Sequence, residues 1–181
     1  RRLLAASPEL EFSVSYTSRK PRPNEMNGKD YHFVSREVFQ QRIDEGEFVE
    51  WVENYGQFYG TSVKAINDVL NRGKDLLLDI EPRGAKAIKT QFPDAVFVFV
   101  LPPGPDELLK RLKKRGHESQ EGIKIRFAQA NSELKEVLWY NYVIFNEDLE
   151  TAVLQMISIY RAEKCKTKRL RRKIDRVFKI E

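Results

Sequence analysis

Two arginines, Arg19 and Arg22, stand three residues apart in the polar stretch SVSYTSRKPRPNEMNGKDYHFVS (13–35), the second set between Pro21 and Pro23. Proline fixes its own φ and restricts the residue before it, so both guanidiniums project from stiff backbone. Two planar forks on such a loop, with the Tyr31 phenol downstream, have the donors to hold a dianionic phosphate through charge-assisted hydrogen bonds. Taken alone, the same residues also read as a solvated basic loop between edge strands. Glu50 sits among apolar neighbours in Phe48-Val49-Glu50-Trp51-Val52, which on its own places an ordinary carboxylate on the wet face of an edge strand. A third group is basic: Arg111 and Arg115 share one helix face, and Arg126 follows beside Phe127. It reads either as a flap that closes on a polyphosphate or as an ordinary charged helical hairpin, since Lys110, Lys113 and Lys114 share the region. His117 falls in a polar loop with no second His or Cys at metal-ligand spacing.

The elements that must position these groups follow from periodicity and punctuation. Residues 1–6 are good helix formers without a preceding N-cap, ended by Ser7-Pro8. Alternation over Phe12–Tyr16 predicts a strand, Asn27-Gly28 a turn, and Tyr31–Val34 the next strand. Ser35 is placed to cap a short helix that turns Val38, Phe39 and Ile43 inward and stops at Gly46. A strand over Glu47–Val52 leads through a hairpin-like turn at Asn54–Gln57 to Phe58-Tyr59-Gly60. Thr61 or Ser62 then caps a helix with Val63, Ile66, Val69 and Leu70 on one face, ended by Gly73.

From Asp75 the style changes to continuous apolar runs, Asp75–Ile80, Ala95–Leu101 and Tyr142–Phe145. Runs without alternation suit strands covered on both faces, hence a parallel sheet. Helical stretches between them, roughly 83–91, 105–115, 120–138 and 148–163, give the strand–helix alternation of an α/β protein. Asp79 and Glu81 end the first run and Asn146 the last; the carboxyl ends of strands line the ligand crevice of such sheets. Asn146 and Asp148 serve equally as caps of the following helix.

Length, 181 residues, suits one domain's worth of core, and 41% hydrophobic with 33% charged residues is a globular composition. No apolar run approaches the ~18 residues that cross a bilayer, and the single Cys165 has no internal disulfide partner, so a cytoplasmic setting is expected. From Arg161 onward ten basic residues face three acidic ones, a tail of +7, so the +5 of the whole chain leaves −2 for residues 1–160. Any nucleic-acid footprint therefore belongs to the tail. Leu170, Ile174 and Phe178 recur every four residues there, and the plainer reading is a basic amphipathic helix packing its stripe on the body or on a second subunit.

Taken together, SVSYTSRKPRP, NGKDYHFVS, GEFVEW, FYGTS, LLLDIEPRGA, KRLKKRG…IKIRF and VIFNEDLETA resemble guanylate kinases, in family order and spacing, over about residues 1–160. The resemblance implies a P-loop nucleoside-monophosphate-kinase fold of α/β class. It has a parallel sheet flanked by helices, a small mixed α+β GMP-binding subdomain and a helical lid. It implies a core over 1–12 and 70–163, the GMP-binding part over 13–69, the lid over 111–126 and a basic tail over 164–181. Arg19, Arg22, Tyr31 and Tyr59 would hold the 5′-phosphate of GMP. Glu50 would accept from the guanine N1–H and 2-amino group, with Ser15 and Thr61 completing the pocket. Asp79 would lie near Mg²⁺ and the phosphates, with Glu81 beside the nucleoside. Arg111, Arg115 and Arg126 would close on the transferring phosphoryl group, and Asn146 would lie near the adenine of ATP. A carboxylate suits the donor pair of guanine and repels the acceptor N1 of adenine.

The phosphate-loop motif G-x-x-x-x-G-K-[ST] does not occur in the sequence. The resemblance places it just before a helix ending like Arg1–Ala6, so the chain as written is expected to begin inside that helix, to expose apolar sheet edges and to lack competence on its own. Glu81 stands where the family often has Asp, and Pro82-Arg83 where Trp-Gln is common. The competing expectation is a non-catalytic guanylate-kinase-like module that binds a phosphorylated peptide; Glu50 and the lid arginines argue against it.

Overall fold

The computed structural model describes residues 1–114 and 120–179. Packing divides the chain into two compact units, Pro8–Phe97 and Arg1–Ser7 with Val98–Glu181.

The Pro8–Phe97 unit is built on a four-stranded sheet of order β3-β2-β5-β4, from β2 (Tyr16–Thr17), β3 (His32–Phe33), β4 (Phe48–Asn54) and β5 (Gln57–Ser62). The β4–β5 hairpin is antiparallel and closes through Tyr55 and Gly56, both at positive φ (51° and 71°), the twist that a two-residue hairpin turn requires. On one face Phe39 is fully buried, stacked on Phe48 at 4.5 Å and Phe58 at 5.2 Å. Phe39 belongs to the helix α2 (Arg36–Asp44), whose N-cap Ser35 accepts from the Val38 amide at 3.2 Å. The helix α3 (Val63–Asn71) is capped by Ser62, which accepts from Ala65 at 3.3 Å, and it buries Ile66 and Val69. A separate parallel pair joins β1 (Leu10–Phe12) to β6 (Asp75–Leu77), and α4 (Pro82–Gln91) follows.

The other unit contains the short helix α1 (Arg2–Ala5) and a parallel pair, β7 (Val98–Leu101) with β8 (Tyr142–Phe145). Its remaining helices are α5 (Pro105–Lys114), α6 (Gln120–Glu133), α7 (Leu149–Lys164) and α8 (Thr167–Phe178). Ile144 is 2% exposed on the side where α7 packs, and Asp148 caps α7 by accepting from Thr151 at 2.8 Å. Along α8, Leu170 and Ile174 are half-buried while Val177 and Phe178 are exposed. No described helix is long and apolar enough to cross a membrane.

Several local expectations are corrected. Phe12–Tyr16 is not one strand: β1 and β2 belong to different sheets, because Ser13 donates to Leu77 while Ser15 accepts from His32. Val38 and Leu70 are exposed rather than inward, each at the edge of its helix's apolar stripe. The run 95–101 is a strand only from Val98, and 75–80 only to Leu77. Nor is the β7–β8 pair covered on both faces, since Val143 and Phe145 are exposed on the face opposite Ile144. The α-helix expected over 120–138 ends at Glu133 and tightens into a 3₁₀ segment, Leu134–Trp139.

Candidate nucleotide site

The face of the four-stranded sheet opposite Phe39 carries the predicted phosphate and base residues. Cross-strand partners share a face, and β5 pairs Tyr59 with Val52 and Thr61 with Glu50. Tyr59 and Thr61, two residues apart on one strand, are therefore about 7 Å apart on one side of the sheet. They set the scale between the residue expected to meet the phosphate, Tyr59, and the residue expected to border the base, Thr61.

At the phosphate end Arg19 donates from Nη1 and Nη2 to the two carboxylate oxygens of Glu25, at 2.9 and 3.0 Å, and from Nη1 to the Lys20 carbonyl at 2.8 Å. Its guanidinium lies 5.4 Å from the Tyr31 ring centre and 5.7 Å from that of Phe33, and Tyr31 packs edge-on to Tyr59 at 6.1 Å. Hydrogen bonding to Glu25, and then to Tyr59, holds the Arg19 cation above its ordinary range of titration despite partial burial. Burial, and then the neighbouring Tyr59 and Asp79, push the Tyr31 phenol up, so it is a neutral donor. Arg22 is exposed, and its backbone amide donates to Glu25 Oε2 at 2.6 Å. One carboxylate thus fixes both ends of the proline-stiffened turn.

At the base end Glu50 is only 7% exposed, and Thr61 Oγ1 donates to its Oε1 at 2.6 Å. The expectation of a wet-face carboxylate fails because the ladder slips between Phe48 and Glu50, a bulge that buries Val49 and Glu50 in succession. Burial raises the Glu50 carboxyl above the usual carboxylate range, the nearby Glu81 adding to it while the Thr61 hydrogen bond opposes it. Glu81 precedes α4 without capping it through its side chain; instead its Oε1 accepts from Asn54 Nδ2. Asp79 is exposed, within electrostatic reach of Tyr31. Ser15 is half-buried just before β2. Glu25 and Asn54 join the site only through the structure; the nearness of Glu25 to both arginines is the one signal the sequence holds.

In the other unit, Arg111 donates from Nε to Glu107 at 2.9 Å and from Nη2 to the Asn146 carbonyl at 3.0 Å, so two predicted ATP-side residues meet. Asn146 donates its amide to Leu101 at 2.6 Å and does not cap α7, a role Asp148 fills. Arg126 is half-buried on α6. Arg115 and His117 lie outside the described residues.

The family model for guanylate kinase matches residues 1–163. A guanylate kinase of Syntrophus aciditrophicus is 49% identical over 181 residues, covering 100% of this chain and 87% of the relative. One from Nitrosospira multiformis is 48% identical over 165 residues, covering 91% and 79%. The crystal structure of guanylate kinase from Anaplasma phagocytophilum superposes with a TM-score of 0.82 at 35% identity, covering 99% of this chain and 89% of that one. The fold and the family match together define a nucleoside monophosphate kinase, an ATP-using phosphotransferase of the P-loop class. Within that class the chain belongs to the guanylate kinase family, whose acceptor is GMP.

Proposed function

We propose that the Pro8–Phe97 unit binds GMP across one sheet face, with the 5′-phosphate on Arg19, Arg22, Tyr31 and Tyr59 and the base on Glu50 and Thr61. The observation that carries this reading is the buried Glu50 carboxylate held by Thr61 on the strand that also bears Tyr59. One oxygen of Glu50 is engaged by the hydroxyl; the carboxylate keeps acceptor capacity for the N1–H and 2-amino group of guanine. Adenine would set an acceptor against this charge and leave it buried and unpaired. Ser15 and Glu81 border the nucleoside.

The reaction is in-line transfer of the γ-phosphoryl group of ATP to a phosphate oxygen of GMP, giving ADP and GDP without a covalent intermediate. Arg111, Arg115 and Arg126 neutralise the charge of the group in transit, with Arg111 and Asn146 on the ATP side. Mg²⁺ bound with ATP would supply neutralisation of the phosphate charge, and Asp79 is the residue that would lie near it. Among the described residues no group of three or more His, Cys, Asp or Glu is placed to hold a metal. The test is coupled ADP release by the full-length protein: turnover that depends on GMP and not on AMP supports the reading, and its absence rejects it. The peptide-binding alternative predicts no turnover.

A further inference from the structure

We infer that Gly84 is a positioning residue that sets base specificity: its missing side chain is the space in which the Glu50 carboxylate stands. The inference rests on the reading of Glu50 as the base acceptor. A Cβ at position 84 would lie 2.5 Å from Glu50 Oε2, 3.0 Å from Cδ and 3.5 Å from Cγ. The first distance lies inside van der Waals contact, and all three atoms belong to the end of one side chain. Glu50 has little room to yield, being 7% exposed with Oε1 tied to Thr61 at 2.6 Å.

The helix cannot withdraw cheaply either. Pro82, Ala85 and Ile88 of α4 are buried, and Gln91 at its far end donates to the Val49 carbonyl at 3.1 Å. Backbone conformation does not account for this glycine, since Gly84 lies within a regular helix and has no positive φ. A glycine inside a helix is less favourable than alanine. What glycine provides here is therefore room. Alanine would drive the carboxylate off its Thr61 contact and away from the line of the guanine donors, while leaving the phosphate end, with Arg19 and Tyr59, untouched.

The experiment titrates GMP and AMP calorimetrically into the full-length protein and its Gly84→Ala, Glu50→Ala and double variants, with thermal midpoints alongside. Gly84→Ala is expected to weaken GMP about tenfold or more, the scale of a displaced charged hydrogen-bond partner, and AMP by less than about twofold. In the Glu50→Ala background the same substitution is expected to change GMP binding by less than about twofold, because the clash is gone. GMP affinity unchanged in Gly84→Ala, equal losses for GMP and AMP, or the same loss in both backgrounds overturns the inference. The underlying reading fails separately, if Glu50→Ala alone leaves the preference for GMP over AMP intact. Should Gly84→Ala not fold, the pair Gly84→Ala/Glu50→Asp carries the test. Its shorter acid relieves the clash, so recovery of fold and GMP preference supports the inference and failure to recover them rejects it.

Discussion

Arg19 and Glu25 lie side by side, two terminal guanidinium nitrogens donating to two carboxylate oxygens at 2.9 and 3.0 Å, with side chains only 15% and 19% exposed. The carboxylate does not compete for the proposed phosphate so much as fix the fork that receives it. Glu25→Gln keeps the volume and removes the charge, so Arg19 should lose its fixed orientation. GMP affinity is expected to fall by about three- to tenfold, read by calorimetry, with AMP weakened equally because the phosphate end is blind to the base.

The same pair gives a pH dependence of stability. Glu25 is held below the usual carboxylate range, first by its hydrogen bonds to Arg19 and then by the Arg22 amide, against an opposing burial effect. A depressed folded-state value means that the contribution is fully present above the unfolded value of 4.5 and is lost as pH falls through the lower folded value. Acid unfolding of Glu25→Gln should therefore lack this part of the loss below pH 4.5.

Glu50 titrates in the opposite sense. Burial raises it from 4.5, so acidification protonates it earlier than an ordinary carboxylate and would remove the proposed acceptor for guanine. GMP binding should weaken as pH falls through that raised value. The GMP phosphate itself titrates near pH ~6, and that inflection should survive in Glu50→Gln while the Glu50 inflection disappears. At neutral pH Glu50→Gln is expected to reduce GMP preference by roughly 10²-fold, measured as the ratio of kcat/KM for GMP and AMP.

Arg126→Ala separates transfer from binding. Loss of an arginine acting on the transferring group is expected to depress turnover by about 10³-fold with GMP affinity little changed. Equal effects on both would remove Arg126 from that role.

Phe39 is the packing test. Fully buried and stacked between Phe48 and Phe58, it should cost about 3–5 kcal/mol when truncated to alanine, read by denaturant unfolding.

Much of this was legible in the sequence where the signal is local. Ser35 and Ser62 cap their helices, Gly46 and Gly73 take positive φ at the ends of α2 and α3, and Tyr142–Phe145 is a strand. These depend on one side chain and the few amides beside it. The burial of Glu50 was not legible, because alternation assumes an unbroken ladder and the bulge before Glu50 resets which residues face inward. Likewise the exposure of Val143 and Phe145 depends on which face a helix covers, information that an apolar run does not contain. Gly84 is one of nine glycines, and only its neighbour across the fold distinguishes it.

The tight connection at Tyr55 and Gly56 does more than reverse the chain. It pairs Asn54 with Gln57 and, counting back, Glu50 with Thr61. Lengthening that corner by one amino acid would let the hairpin slide by a notch, turning the threonine hydroxyl away from the acid and toward the Phe39 side. On the proposed role of Glu50, choice of purine would be metered at a solvent-facing bend that begins five positions downstream of that acid, and libraries that vary loop length there would be expected to alter nucleobase preference before they alter folding.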